Sequence, residues 1–254
     1  MNEISRRFTV FFAVFLSTLC WLAPPAQARF AAVAATVAAC GPGASSPALS
    51  QAGAATQRAP AQPVEIVVDT RAIRLTLYSE GRPFKSYPVA VGQGGLKSTP
   101  VGEWTIIKKD KNWGRGFGTR WLGLNVPWGI YGIHGTNKPW SIGQRASSGC
   151  IRMHNRDVEE LYDWVAVGTP VRILGPVPEV PVRLPLQIGS SGKDVLLVQD
   201  RLRSRGLHVG KMDARFGKEM ADAIRQLQRS AGLPETGVVD EKVLDLLGLK
   251  QRRP

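Results

Sequence analysis

The alternation of apolar and polar positions changes character several times along this 254-residue chain. Residues 8–22 form a mostly apolar run, and residues 29–62 carry no hydrophobic period and almost no charge. From Val64 the period becomes two, in Val64-Glu65-Ile66-Val67-Val68, in Arg74-Leu75-Thr76-Leu77-Tyr78, and through Tyr87, Val89 and Val91. Successive side chains of a strand face opposite ways, so this spacing predicts β-strands. Ser79-Glu80-Gly81-Arg82 is a turn between two of them. Residues 105–107, 122–126, 130–134 and 171–173 read as further strands, and Cys150 opens another in Gly149-Cys150-Ile151-Arg152-Met153. One helix interrupts the series, with Asn155 as its N-cap and Asp157 in its first turn. Its apolar face is Val158, Leu161, Tyr162 and Val165, and Gly168 ends it.

Pro176, Pro178, Pro181 and Pro185 mark a stiff linker, beyond which the period becomes helical. Val195, Val198 and Leu202 make one stripe; Met220, Ala223, Ile224 and Leu227 make a second. Asp240 caps a third helix with Val243, Leu244 and Leu247 inward. The expected fold class is therefore multi-domain. A mostly-β domain, sandwich- or barrel-like with one helix after the cysteine segment, precedes a small all-α three-helix bundle. The expected boundaries are a signal peptide at 1–28, a spacer at 29–62, a β domain at 63–175, a Pro-rich linker at 176–184 and the bundle at 185–250.

The N-terminus bears on location. Arg6-Arg7, the apolar run, Pro24-Pro25 and Ala26-Gln27-Ala28 follow the order of a secretory signal. The formal net charge of +13 favours anionic partners. Export points away from nucleic acid and towards a wall polymer, at the cell wall, the periplasm or the extracellular face of a bacterial envelope. There are three cysteines, and Cys20 would leave with the signal, so a multi-bridge framework is excluded. Val37-Ala38-Ala39-Cys40-Gly41 is similar to a lipobox, so membrane anchoring by lipid at Cys40 or by an uncleaved signal stays open beside an idle Cys40.

The chemistry concentrates in Ser147-Ser148-Gly149-Cys150-Ile151-Arg152-Met153 and in His134-Gly135 upstream of it. Only a thiolate is a strong nucleophile, and a neighbouring imidazole can take the thiol proton. Gly149 lets the backbone turn so that N–H groups face a developing oxyanion. Cys150 and His134 are thus the candidate catalytic pair. A metal site of Cys150, His134 and His154 lacks a fourth ligand with suitable spacing, so no metal is expected. Most buried cysteines are inert, which is the bland alternative.

His134-Gly135-Thr136, Ser147-x-Gly149-Cys150-Ile151-Arg152-Met153 and Asn155-x-Asp157-Val158 together resemble the L,D-transpeptidase catalytic domain. So do Ser98-Thr99-Pro100-Val101-Gly102-Glu103-Trp104 and Tyr131-Gly132-Ile133. Relatives often carry His or Lys where this chain has Ser148. Ile188-Gly189-Ser190-Ser191-Gly192-x-Asp194-Val195, Val198-Gln199, Asp213-x-x-Phe216-Gly217 and Thr236-Gly237 resemble a peptidoglycan-binding three-helix module. The resemblance implies a cysteine acyltransferase, without cofactor, that acts on peptidoglycan stem peptides and binds the glycan wall polymer. The resemblance also implies that 3→3 cross-links form through a thioester. The alternatives are an L,D-carboxypeptidase or hydrolase with the same nucleophile, and a non-catalytic wall-binding protein. Gly149 and Gly135 are the expected backbone supports, the first through its N–H and the second through a carbonyl that orients the imidazole. Arg152, Ser147 and Trp140 are the expected substrate contacts.

Overall fold

The computed structural model describes residues 59–252 apart from Arg115. The expected signal, most of the spacer, Cys20 and Cys40 lie outside the described residues.

Among the described residues, ten strands and four α-helices follow in order. They are β1 (Val64–Asp69), β2 (Arg74–Ser79), β3 (Arg82–Pro88), β4 (Val91–Gly92), β5 (Gly102–Asp110), β6 (Trp121–Leu124), β7 (Tyr131–His134), β8 (Arg145–Ser147), β9 (Ile151–Arg152), α1 (Asn155–Trp164), β10 (Pro170–Leu174), α2 (Lys193–Ser204), α3 (Lys218–Ser230) and α4 (Glu241–Leu247). Eight strands form one sheet in the order β3-β2-β1-β10-β5-β6-β7-β9, and β4 pairs with β8. The sheet curls until the chain just beyond β3 meets its opposite edge. There Ala90 and Arg152 exchange two backbone hydrogen bonds, of 2.8 and 2.9 Å. The Cys150 segment therefore sits where the sheet comes closest to closing.

The period-two pattern explains which face is inward. Ile66, Val68, Leu75, Leu77, Val171 and Ile173 are all buried, while Arg172 and Leu174 between and beyond them stay exposed. α1 lays Val158 and Leu161 into the same core. At its N-terminus the structure corrects the expectation. His154, not Asn155, is the cap residue, and it makes no side-chain capping bond; Asn155 is the first helical residue and spends its side chain elsewhere. The short strand β8 carries no alternation in the sequence and was not expected.

The C-terminal helices form a small bundle with α2, α3 and α4 in mutual contact. Asp240 caps α4 by accepting from the Val243 N–H at 2.9 Å. This part packs directly against the sheet. Glu103 N–H on β5 donates to the Met212 carbonyl at 2.8 Å, and Arg203 pairs with Glu103 at 3.2 Å. Gly102 makes that approach possible, since a Cβ there would stand 2.5 Å from the Met212 oxygen. The Pro-rich segment is not a free tether either. Val182 is fully buried, and it accepts from Arg252 N–H and donates to the Lys250 carbonyl. The apolar residues between the prolines, Val177 and Val180, pack on the same core, which gives the segment a fixed course.

Candidate active site

β7 and β9 run parallel with Ile133 opposite Ile151 and His134 opposite Arg152. Ile133 and Ile151 point into the core. Alternation therefore turns Gly132, His134, Cys150 and Arg152 to the other face. There His134, Cys150 and Arg152 line one open cleft of about 600 Å³. Trp113, Phe117, Trp121, Ile130, Thr136, Asn137, Lys138, Ser147 and Ser148 complete most of its wall. Its charged lining residues are cationic, Lys138 and Arg152, with no carboxylate among the described residues.

His134 is almost wholly buried, and its ring is held by Gly135, Phe117 and Trp121. Nδ1 lies 2.5 Å from the Gly135 carbonyl oxygen. A carbonyl can only accept, so Nδ1 carries the proton and Nε2 keeps a lone pair. The Trp121 indole lies nearly parallel to the imidazole, at 5.6 Å between centroids and 23°, and Phe117 meets it edge-on at 4.9 Å. Register explains the first contact, because Trp121 on β6 is paired with His134 on β7. Gly132 explains why the indole fits: a Cβ there would come within 2.7 Å of the indole ring and of the Leu122 carbonyl.

Burial pushes the imidazole pKa down to about 4; the Gly135 backbone opposes this, the Arg152 charge adds to it, and the Phe117 backbone opposes it more weakly. Burial pushes the Cys150 thiol up, against the Gly132 backbone and the Arg152 charge, which pull it down. At neutral pH the resting pair is therefore thiol and neutral imidazole. The depressed imidazole has a consequence for stability. Between about pH 6.5, where an unfolded histidine titrates, and the folded value near 4, the unfolded chain binds the extra proton. Stability is therefore complete above the unfolded pKa and falls as pH drops through this window, by up to about 3 kcal/mol. Urea midpoints for the protein and for His134→Gln between pH 7 and 4.5 should show the steeper acid loss in the protein; identical slopes would exclude the effect.

The turn that follows His134 is braced from α1. Asn155 Oδ1 accepts from the Thr136 N–H at 3.0 Å and sits over Gly135 and Gly118, where added Cβ atoms would lie only 2.2 Å from it. Asn155→Ala strands that N–H, at an expected cost of about 1–3 kcal/mol, while Asn155→Asp keeps an acceptor and should recover much of the loss. Chemical denaturation of the two variants checks this, and equal stability of Asn155→Ala and the parent would rule the brace out.

The nucleophile segment is closed by a small hydrogen-bond loop. Ser147 Oγ donates to the Cys150 carbonyl at 2.6 Å and accepts from the Gly149 N–H at 3.1 Å. Gly149 holds φ +123°, and a Cβ there would meet the Tyr131 ring at 2.7 Å. Two expected roles change as a result. The Gly149 amide is turned inward onto Ser147, so it does not present an oxyanion donor. The buried Ser147 hydroxyl shapes the turn, with both its bonds inside the segment. Trp140 differs as well: it is 71% exposed on the short 3₁₀ turn Pro139–Ser141, outside the residues that line the cleft. The cleft's aromatic wall comes instead from Trp113, Phe117 and Trp121. The only sign of it in the sequence is that six of the seven tryptophans fall between residues 104 and 164.

Residues 63–173 match the family described as "L,D-transpeptidase catalytic domain", and residues 191–247 match "Putative peptidoglycan binding domain". "Putative L,D-transpeptidase YqjB" of Bacillus subtilis (strain 168) is 36% identical over 123 residues, covering 42% of this chain and 69% of that protein. The chain belongs to the L,D-transpeptidase family. "Putative L,D-transpeptidase YkuD" of the same strain is 50% identical over 111 residues, which span 44% of this chain and 66% of that protein. Among solved structures, the catalytic domain of an E. faecium L,D-transpeptidase aligns at 23% identity and a TM-score of 0.39, covering 44% of this chain and 97% of that one. The match to the transpeptidase family begins at β1 and ends in β10, so it contains every residue that lines the cleft.

Proposed function

We propose that this protein is a peptidoglycan L,D-transpeptidase that forms 3→3 cross-links through a Cys150 thioester. The observation that carries the proposal is that Cys150 and His134 line the same open cleft, beside cationic Arg152 and Lys138. His134 spends its Nδ1–H on Gly135, so Nε2 is the nitrogen that takes the thiol proton. Cys150 Sγ bonds to the carbonyl carbon of the third stem residue, and the oxyanion is met by the Cys150 N–H. Collapse breaks the amide bond to the terminal D-Ala, whose amine leaves with the proton from His134. The side-chain amine of a second stem then attacks the thioester, gives its proton to His134 and frees the thiol. Arg152 lies near enough to both groups to favour thiolate over thiol, and with Lys138 it suits the carboxylates of a stem peptide.

Residues 185–250 serve as the wall-binding domain and residues 63–175 as the catalytic one. The expected signal at 1–28 places the reaction outside the cytoplasmic membrane. Purified protein incubated with tetrapeptide-bearing muropeptides should yield a dimer that has lost one D-Ala, read by mass. Trimmed monomer alone would instead make it a carboxypeptidase with the same nucleophile. Unchanged muropeptides, with binding to sacculi retained, would leave only a wall-binding protein.

A further inference from the structure

The proposed mechanism places a positive charge on His134 in a setting that otherwise resists it. The ring is buried and Arg152 and Lys138 line the same cleft. Cys150 is the neighbouring titratable group, and no described Asp or Glu lines the site. The Gly135 carbonyl bonds Nδ1–H in both the neutral and the charged ring, so it supplies only part of what the cation needs.

The Phe117 backbone also favours the charged ring, and the remaining contacts are aromatic, from the Phe117 ring and from Trp121. Trp121 is 2% exposed, and its indole faces the imidazole nearly in parallel. A cation within about 6 Å of an indole face is attracted by the ring quadrupole, and the attraction strengthens where water is excluded. A neutral imidazole gains far less from the same face, so the contact acts on the difference between the two protonation states. Trp121 is also stacked on Trp113 at 5.2 Å and 10°, and the Lys108 ammonium, paired with Asp110, lies 4.0 Å over Trp113. The sheet register and the bare Gly132 hold the Trp121 indole in place.

We infer that the indole of Trp121 is a positioning residue that selectively stabilises the imidazolium form of His134. Its consequence for turnover rests on His134 being the proton acceptor proposed above. Substitution by an aliphatic residue would also open the core, so the test keeps the ring shape. Trp121 is replaced in the full chain by 5-fluoro-, 5,7-difluoro- and 5,6,7-trifluorotryptophan through nonsense suppression, which drains the negative face stepwise.

In the Cys150→Ser background, NMR titration of the His134 ring should show the protonation constant falling with each fluorine, by about tenfold across the series. In the Cys150 protein the cross-linking rate should fall by a similar factor. A protonation constant that stays flat across the series overturns the inference. A falling constant with an unchanged rate upholds the stack and removes His134 from the role of proton acceptor, so the two failures are told apart.

Discussion

Cys150→Ala is expected to reduce cross-linking by about 10⁴-fold or more while changing stability by less than ~1 kcal/mol. In the proposed mechanism the sulfur forms and breaks the covalent bond, so nothing else in the cleft can substitute for it. Its side chain is small and only partly buried, so its loss leaves little void. His134→Ala is a less clean experiment. General-base loss alone costs about 10²–10⁴-fold, but this ring also fills the space between Trp121 and Phe117. Its removal should cost ~2–4 kcal/mol as well. Steady-state rates and urea midpoints of both variants check the pair. A Cys150→Ala protein that still made dimer would end the thioester proposal.

Gly118→Ala is expected to be strongly damaging although the residue takes no part in the proposed chemistry, at about 3 kcal/mol or more. Gly118 has φ +65°, and a Cβ there would stand 2.2 Å from Asn155 Oδ1, 2.5 Å from the Gly135 carbonyl carbon and 2.5 Å from the Thr136 nitrogen. Two of those atoms are backbone and cannot swing aside. Relief requires the turn after His134 to move, and with it the carbonyl that holds Nδ1. Activity should therefore fall at least about tenfold even below the melting temperature, since small misplacements at a reacting centre are costly. Gly116→Ala is the control, because nothing lies within 4 Å of its Cβ. It should keep stability within about 0.5 kcal/mol. Thermal melts compare the two, and a Gly118→Ala protein as stable as Gly116→Ala would contradict the packing described here.

Particular elements show how legibility divided. β1, β2 and β10 were readable because each puts one face in the core, which writes a period of two into the sequence. β8 has three residues, too few to display any period, and is held by pairing with a partner far along the chain, whereas β9, of two residues, lies in the segment where a strand opened by Cys150 was expected. Asn155 looked like a helix cap because Asn has that habit at such a position. Its carboxamide instead reaches a turn 19 residues upstream, a contact that no local preference encodes. The Ser147 hydroxyl bonds only within its own turn, yet hydroxyl direction depends on the φ of Gly149, which only the folded turn fixes.

By itself the sequence determined the candidate reactive atoms and the order of most elements. A thiol and an imidazole are fixed by residue type, strand and helix periods are fixed by which side chains must leave water, and the short motifs around them named the family. The tertiary structure alone decided what surrounds those atoms. It set which imidazole nitrogen is free, that the Gly149 amide faces inward, that the cleft wall is Trp113, Phe117 and Trp121 in place of Trp140, and that the helical part lies against β5. Each of these depends on strand register and curl, which bring distant residues to contact through packing and directional hydrogen bonds, and such contacts leave no periodic trace along a chain.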